Sequence, residues 1–189
     1  MSQSQLPESI KMLIKQGYEH LQEGASAEAQ ETFSAALAIE PKSPEGLRGL
    51  GIAFFQLKQW PSAADAFHKA RDLAPEETDN WVDLGISLAM DSQTYPALEV
   101  FETLLAKYPV CIRGHIELGL LYLRLGAIPR GRQQLEKVLA HRPTLAQRQF
   151  VQSILHEQVK QDKKRAYRPD FEALRRQSRQ PSKDKARPS

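Results

Sequence analysis

Apolar residues recur along this chain at spacings of three, four and seven, the pattern that predicts one buried face of a helix. The first clear set is Leu47, Leu50, Gly51 and Phe54. After a break at Lys58-Gln59, a second set follows at Ala63, Phe67 and Ala70. Gly51 and Ala63 have so little side chain that the two helices can approach closely, with Phe67 filling the space beside them. The pattern therefore predicts a helical hairpin.

The same pattern returns every 34 residues. This spacing separates the prolines Pro41, Pro75, Pro109 and Pro143 and the glycines Gly17, Gly51, Gly85 and Gly119. A strict period of this length indicates a repeat architecture. We therefore expect four helical hairpins, at residues 10–43, 44–77, 78–111 and 112–145.

Start and stop signals divide these hairpins into helices. Gly24 is expected to end the first helix, and Ser26 is expected to cap the second. Ser43 should cap the third helix, with Pro44 in its first turn, where the missing N–H of proline costs nothing. Gly126 and Pro129 mark the turn inside the fourth hairpin.

The two ends of the chain differ from the repeats. After Pro143 the apolar positions change register to Phe150, Val151, Ile154, Leu155 and Val159. A helix with one apolar and one polar face is what the end of a stack of hairpins needs, so we expect a capping helix at residues 146–165. Residues 1–9 are expected to be a flexible N-terminus, and residues 166–189 a basic, partly disordered tail.

These recurring residues resemble the signature of the tetratricopeptide repeat family, as four tandem repeats plus a C-terminal capping helix over about residues 10 to 160. The resemblance implies an all-α fold, a right-handed superhelical solenoid of antiparallel helix pairs with the first helix of each pair on its concave side. It also implies a scaffold or adaptor, chaperone-like in its binding, with no activity of its own. The departures are local: Gln16 replaces an expected Leu, His115 stands where the third unit has Trp81, and Gly131 replaces the usual Ala.

A second stripe runs along the first helix of each hairpin, one residue on from the packing stripe. It consists of Ile14, Tyr18 and Leu21; Arg48, Ile52 and Phe55; Val82, Ile86 and Ala89; and Ile116, Leu120 and Leu123. These side chains should face the groove or the neighbouring hairpin, which could cover any one of them. Uncovered apolar side chains would mark an interaction surface. We therefore predict a groove for an amphipathic or apolar segment of a protein partner, with Phe55 and Tyr18 as its first anchors.

Family members that clamp the acidic C-termini of heat-shock chaperones use Lys, Asn and Arg on the first helices of three repeats. The corresponding residues here are Ile14, Tyr18, Gly49, Asp79 and Asp83 in one frame, and Arg48, Ile52, Asp83, Arg113 and Glu117 in the next. Neither set is a carboxylate clamp. The resemblance therefore does not extend to a co-chaperone that binds such tails.

Charge adds an alternative function. The net charge is +3, and residues 160–189 hold eleven Lys and Arg against four Asp and Glu, or +7, which leaves −4 on residues 1–159. Such a tail could bind nucleic acid, although a solvated tail is the simpler interpretation. Tyr167, Phe171 and Leu174 also lie at helical spacing and could dock on a groove of the same or a neighbouring subunit. Self-association therefore stays open.

Catalytic and metal chemistry is not indicated. The histidines are His20, His68, His115, His141 and His156. They lack metal-ligand spacing, and His20 and His115 fall on packing positions. Cys111 is the single cysteine and is expected to be a small buried residue. We predict no catalytic residue, cofactor or metal and therefore no enzyme, and, from the lack of an apolar leader or membrane span in this sequence, a cytoplasmic location.

Overall fold

In a computed structural model of the chain, residues 8–166 are described, with side chains to residue 162. These residues form nine α-helices and no strand. The helices are α1 (Glu8–Gln22), α2 (Ser26–Ile39), α3 (Pro44–Gln56), α4 (Trp60–Leu73), α5 (Thr78–Met90), α6 (Thr94–Lys107), α7 (Ile112–Arg124), α8 (Ile128–Ala140) and α9 (Leu145–Ala166). The predictions for the first seven residues and for residues 167–189 lie outside the described residues.

The chain forms two compact units, which divide after Pro143. In the first unit each helix packs against the next, and the short turns make neighbours antiparallel. Helix α1 also contacts α3, and α5 contacts α7, so the first helices of successive pairs lie side by side. This stack of helix pairs confirms the predicted all-α solenoid.

Within each pair, one large side chain of the second helix fills the space above a glycine of the first. The pairs are Gly17–Phe33, Gly51–Phe67, Gly85–Phe101 and Gly119–Leu135. A Cβ atom on Gly51 would lie 2.7 Å from the Phe67 ring, so only glycine allows α3 to approach this closely. All four large side chains are buried. The close approach expected at Gly51 and Phe67 is confirmed.

A left-handed residue ends the first helix of every pair. These residues are Gly24, Lys58, Ser92 and Gly126, with φ of 76°, 60°, 64° and 77°. The next residue donates its N–H to the carbonyl five positions back, as from Gln59 to Phe54 at 2.9 Å. This is the Schellman arrangement, which satisfies carbonyl groups left over at a helix end. The expected breaks at Gly24, Lys58-Gln59 and Gly126 are confirmed.

The structure has the predicted N-cap residue at Ser43 but not at Ser26. The Ser43 hydroxyl accepts the N–H of Gly46 at 3.1 Å, and Pro44 follows in the first turn. The capping prediction for Ser26 is wrong. Ala25 is the N-cap residue, and Ser26 is already the first helical residue. Its hydroxyl instead donates to the side-chain oxygen of Gln56 at 2.5 Å.

The prolines that recur every 34 residues end each helix pair, because the residue before a proline is forced out of the helical region of backbone dihedral angles. Ala74, before Pro75, has φ −134° and ψ 71°. The carbonyl of Pro75 then accepts the indole N–H of Trp81 at 2.9 Å. His115 takes the place of Trp81 one repeat later, with Nε2 2.9 Å from the Pro109 carbonyl oxygen.

The ring of His115 is buried, and its Nδ1 lies 2.8 Å from the side-chain oxygen of Gln134. The expected core histidine is therefore confirmed at position 115. His20, by contrast, is only partly buried and lies 3.9 Å from the carboxylate of Glu23. Cys111 is partly buried and is the N-cap residue of α7.

Helix α9 belongs to the second unit, and a capping box starts it. The Gln147 N–H donates to the Thr144 hydroxyl at 3.3 Å, and the Thr144 N–H donates to the Gln147 side-chain oxygen at 2.9 Å. A helix thus covers the predicted segment 146–165, while its role as a cap stays a prediction. Within residues 8–166, no helix combines the length and the apolar character needed to cross a bilayer.

Candidate functional site

The first helices α3, α5 and α7 surround a cavity of about 290 Å³, here called the groove cavity. It is lined by Arg48, Ile52, Phe55, Phe67, Asp83, Ile86 and Arg113. Four of these, Arg48, Ile52, Phe55 and Ile86, belong to the predicted groove residues. Apolar side chains form one part of the lining and charged side chains the other, so the cavity is amphiphilic.

The repeat explains why these residues meet. Arg48 and Ile52 are four residues apart on α3, and Asp83 and Ile86 are three apart on α5, so each pair shares one helix face. Because the hairpins stack with one period, these faces line up side by side. The ring of Phe55 is fixed by Trp60, whose centroid lies 4.8 Å away in an edge-to-face contact.

Two arginines and two aspartates form a charged network across three helices. Arg48 of α3 lies 3.3 Å from the carboxylate of Asp79, and its Nε lies 3.8 Å from that of Asp83. Arg113 of α7 donates to Asp79 at 3.0 Å and also to Asp83. Both aspartates are on α5, so each is held between an arginine on either side. The network ties α3, α5 and α7 together.

Burial determines the electrostatics of this network. The Asp83 side chain is only 13% exposed, and this burial raises the pKa of the Asp83 carboxyl, while Arg113 and Arg48 lower it by less. Burial lowers the pKa of Arg113, but Asp83 and Asp79 outweigh it, so the pKa of Arg113 is raised. Removing charges from water offsets much of the attraction between them. The network therefore fixes the relative positions of α3, α5 and α7 more than it stabilises the fold.

Glu117 lies one helical turn after Arg113 on α7. Burial raises the pKa of the Glu117 carboxyl, Arg113 lowers it, Asp83 raises it, and Arg124 lowers it. Unlike the network aspartates, Glu117 makes no hydrogen bond or ion pair to any residue in the described part of the chain.

Tyr18 and Ile14 line a separate cavity of about 450 Å³ between α1 and the start of α3. The Tyr18 hydroxyl donates to the Glu45 carbonyl at 3.4 Å, and its ring meets Phe33 edge to face at 5.2 Å. Burial raises the pKa of the Tyr18 hydroxyl, and Arg48 lowers it. Tyr18 is thus half buried, while Ile14 is only 4% exposed.

The remaining predicted residues lie mostly in the packed interior. Leu21, Val82 and Ile116 are 8%, 0% and 8% exposed. Leu120 and Leu123 are partly buried on α7. Leu123 lies against Gly131, where a Cβ atom would be 2.7 Å from the leucine Cδ2. Leu123 therefore fills the space left by the glycine that replaces the usual alanine.

The charged network was not predicted from the sequence. Arg48, Asp79, Asp83 and Arg113 all stand at the clamp positions considered above, but their pairing was not foreseen. The usable signal is that opposite charges stand 30, 31 and 34 residues apart in a 34-residue repeat. Such spacings place the charges on adjacent first helices.

Other features of the first unit show less specific chemistry. A depression of about 890 Å³ lies between α4, α5 and α6, with the Arg71 guanidinium 4.9 Å from the centre of the Trp81 ring. His68 there has Nδ1 3.2 Å from the Asp72 carboxylate. The described part of the chain contains no trio of His, Cys, Asp or Glu arranged to hold a metal ion.

Comparisons with known sequences identify relatives of this solenoid. The sequence profile described as "Tetratricopeptide repeat" matches residues 14–78 and 97–146. Interferon-induced protein with tetratricopeptide repeats 2 of Mus musculus is 31% identical over 60% of this chain and 25% of its own length. The peroxisomal targeting signal receptor of Kluyveromyces lactis is 26% identical over 57% of this chain and 19% of its own length. The chain thus spans a quarter or less of the length of these two relatives.

Solved structures show the same fold. A thermophilic tetratricopeptide repeat protein of Thermus thermophilus superposes with a TM-score of 0.69 and 20% identity, over 79% of this chain and 82% of that one. MamA of Desulfovibrio magneticus, from residue 41 to its end, gives a TM-score of 0.63 and 25% identity. That match covers 72% of this chain and 77% of that one.

Proposed function

Because this chain belongs to the tetratricopeptide repeat family, whose members hold protein partners, we propose that it is a non-catalytic interaction scaffold that binds an amphipathic or apolar segment of a partner protein at the groove cavity. The observation that carries this proposal is the amphiphilic lining of the cavity. Ile52, Phe55 and Ile86 offer apolar contact, and Arg48, Asp83 and Arg113 offer fixed charges.

The cavity has the size and rigidity that a peptide anchor needs. About 290 Å³ suits one or two side chains of a partner segment. Burying an apolar side chain there contributes roughly 25 cal/mol per Å² removed from water, while the charged network fixes the orientation of the segment. Since the ion pairs already hold the three helices, little further ordering is required when a partner binds.

The curated relatives favour recognition over catalysis. The Kluyveromyces lactis relative is by its name a receptor for a targeting signal, and it matches 57% of this chain. The cytoplasmic location expected from the sequence stays a prediction. The alternative nucleic-acid role depends on the basic tail at residues 166–189, almost all of which lies outside the described residues, and it stays a prediction.

Site-specific photo-crosslinking tests the proposal. A photoreactive benzoylphenylalanine at position 55 should crosslink to a protein partner in cells. The same group at position 95 should not, because Tyr95 is 85% exposed on α6 and does not line the groove cavity. Crosslinking from position 95 alone would contradict the proposed site.

A matched pair of neighbouring phenylalanines tests the energetics with the captured partner. Phe55→Ala should weaken binding by about 2 kcal/mol or more, roughly 30-fold. Phe54→Ala removes an equal ring that lines a different depression, beside Leu50 and Pro61. Its effect on affinity should be small, and equal losses in the two variants would count against the groove cavity.

A further inference from the structure

One carboxylate beside the charged network has no ion pair. Asp79 and Asp83 share the guanidinium groups of Arg48 and Arg113, and Glu117 lies one helical turn after Arg113 on α7. Asp79 and Asp83 each lie within 4 Å of both arginines. Glu117 alone is left: it is partly buried and forms no ion pair within 4 Å among the described residues, and Arg113 and Arg124 act on it only from a greater distance.

The repeat shows why Glu117 is left over. Arg113 stands 30 residues after Asp83 and pairs with it. Arg113, four residues before Glu117, is directed to α5 instead. Arg113 is thus already paired with the two aspartates, and Glu117 forms no ion pair within 4 Å among the described residues.

An acidic partner does not fit this arrangement. Arg48 and Arg113 each lie within 4 Å of two aspartates, so a carboxylate from outside would compete with existing ion pairs. The buried Nε of Arg48 has no hydrogen-bond partner, and a neutral acceptor such as a peptide carbonyl can satisfy it. A cation needs no such exchange, because it would pair with a carboxylate that is partly buried and forms no ion pair within 4 Å among the described residues. Residues 1–159 also carry a net −4, which favours the approach of a basic segment.

We propose that Glu117 receives a lysine or arginine side chain of the partner segment while an apolar side chain of the same segment occupies the groove cavity. This inference rests on the proposed function of that cavity and specifies, in addition, the charge of the bound segment. The occupant is thus a peptide with a basic residue near an apolar anchor, the reverse of the acidic tails that a carboxylate clamp binds.

Selection from a random twelve-residue phage library against the full chain tests this assignment. The enriched peptides should carry Lys or Arg at a fixed distance from an aromatic or aliphatic residue. Selection against Glu117→Lys should instead enrich Asp or Glu at that position. Enrichment of acidic peptides by the unmodified chain would overturn the proposal.

The best cationic peptide, synthesised with a fluorescent label, gives the quantitative test by anisotropy. Glu117→Gln keeps the shape of the side chain and should weaken binding about 10- to 100-fold. Glu136→Gln, on the exposed face of α8, should leave the affinity unchanged. Replacing the basic residue of the peptide by Gln should cause the same loss, and Glu117→Gln should then add nothing further. Equal affinity of the unmodified and Glu117→Gln chains for the cationic peptide would overturn the proposal.

The variants also separate this inference from the function on which it rests. If Phe55→Ala abolishes binding and Glu117→Gln does not, the groove binds a segment but not through this cation, and only the inference fails. If neither variant changes binding, the groove is not the site and both fail. Urea unfolding midpoints of the variants, measured in parallel, exclude loss of folding as the cause.

Two other occupants would be recognised in the same experiments. If the full chain selects no peptide but its Arg175→Glu, Arg176→Glu variant does, the chain's own tail occupies Glu117. Dimerisation that Glu117→Gln abolishes, measured by sedimentation, would assign the position to a second copy. Either result would overturn the assignment to a partner protein.

Discussion

Phe67 and Gly51 form the contact on which the second helix pair depends. The Phe67 ring is 1% exposed and occupies the space where residue 51 would carry a side chain. The ring therefore fills the space of the missing side chain, so the effects of substitutions at positions 51 and 67 on stability should depend on each other. A methyl group at position 51 is harmful only while the ring is present.

Gly51→Ala should lower the free energy of unfolding of the native chain. Overpacking costs about 1–3 kcal/mol, against about 1 kcal/mol gained from the helix propensity of alanine. In a Phe67→Ala background the same change should be stabilising, since the methyl group enters the vacated space. Urea unfolding of the four proteins of this cycle measures the difference. A loss of equal size in both backgrounds would show that the ring is not the cause.

Asp83 makes the stability of the chain depend on pH. Its pKa is raised, chiefly by burial, so the folded state binds the proton more tightly than the unfolded state does. The resulting stabilisation is complete below the ordinary carboxyl value of about 4 and is lost as the pH rises through the raised folded value.

Asp83→Asn mimics the protonated form and should therefore gain stability relative to the native chain as the pH rises from about 4 through that window. The difference in hydrogen bonding between a carboxamide and a protonated carboxyl adds an offset that does not depend on pH, so the informative quantity is the slope of the stability difference against pH. Urea unfolding of both proteins at several values between about pH 4 and 7 gives it. A difference that does not change with pH would contradict the prediction.

At the scale of the element, the turn inside each hairpin requires one left-handed residue. Gly24 and Gly126 meet this requirement without strain, whereas Lys58 and Ser92 adopt φ of 60° and 64° with a side chain. A side chain in this region costs roughly 1–2 kcal/mol, and glycine costs about 0.5–1 kcal/mol in backbone freedom. The balance favours glycine slightly at all four turns.

Lys58→Gly and Ser92→Gly should each raise the free energy of unfolding by up to about 1 kcal/mol, because they remove this strain. Gly126→Ala should lower it by about 1 kcal/mol for the same reason. Thermal unfolding of the three variants beside the native chain measures both the expected increase and the expected decrease in the free energy of unfolding. Equal destabilisation by Lys58→Gly and Gly126→Ala would show that the Lys58 side chain contributes contacts that outweigh its strain.

The helices were predictable because their apolar spacing and the 34-residue prolines are local in sequence. The turn at Lys58 was indicated only by the break in the pattern, since lysine is not a turn residue. The error at Ser26 has a related cause, because a serine before a helix is compatible with both the N-cap and the first helical position. Only the backbone dihedral angles distinguish the two.

The sequence indicated a stripe of side chains but not the electrostatics beside it. Ile52, Phe55 and Ile86 of that stripe line the groove cavity, while Val82, from the same stripe, is buried between neighbours, and the role of the stripe in binding stays a prediction. Helical spacing indicates which face a residue occupies but not how far the next hairpin covers it. The pairing of Asp83 with arginines of two other helices depends on that stacking, and so it could be seen only in the structure.

At the scale of the whole molecule, the first unit is a linear array in which helices contact near neighbours in chain order. Phe33 shows how adjacent hairpins are joined, because its ring lies beneath Gly17 of its own pair and also beneath Gly49 of the next. In such an array the stability is close to a sum of hairpin terms and nearest-neighbour interface terms. Within the first unit, a change in an inner hairpin therefore weakens two interfaces, and a change in the fourth hairpin weakens its one interface with the third.

Phe67→Ala and Leu135→Ala test this array with equivalent side chains in the second and fourth hairpins. Each should cost about 2–5 kcal/mol, because a large buried side chain is removed. Hydrogen exchange should then accelerate across α1 to α6 in Phe67→Ala, because both neighbours of the second hairpin lose support. In Leu135→Ala the acceleration should be confined largely to α7 and α8, with α1 to α4 unchanged. Uniform acceleration in both variants would mean that the four hairpins unfold as one cooperative unit, and the additive description would then not apply to this chain.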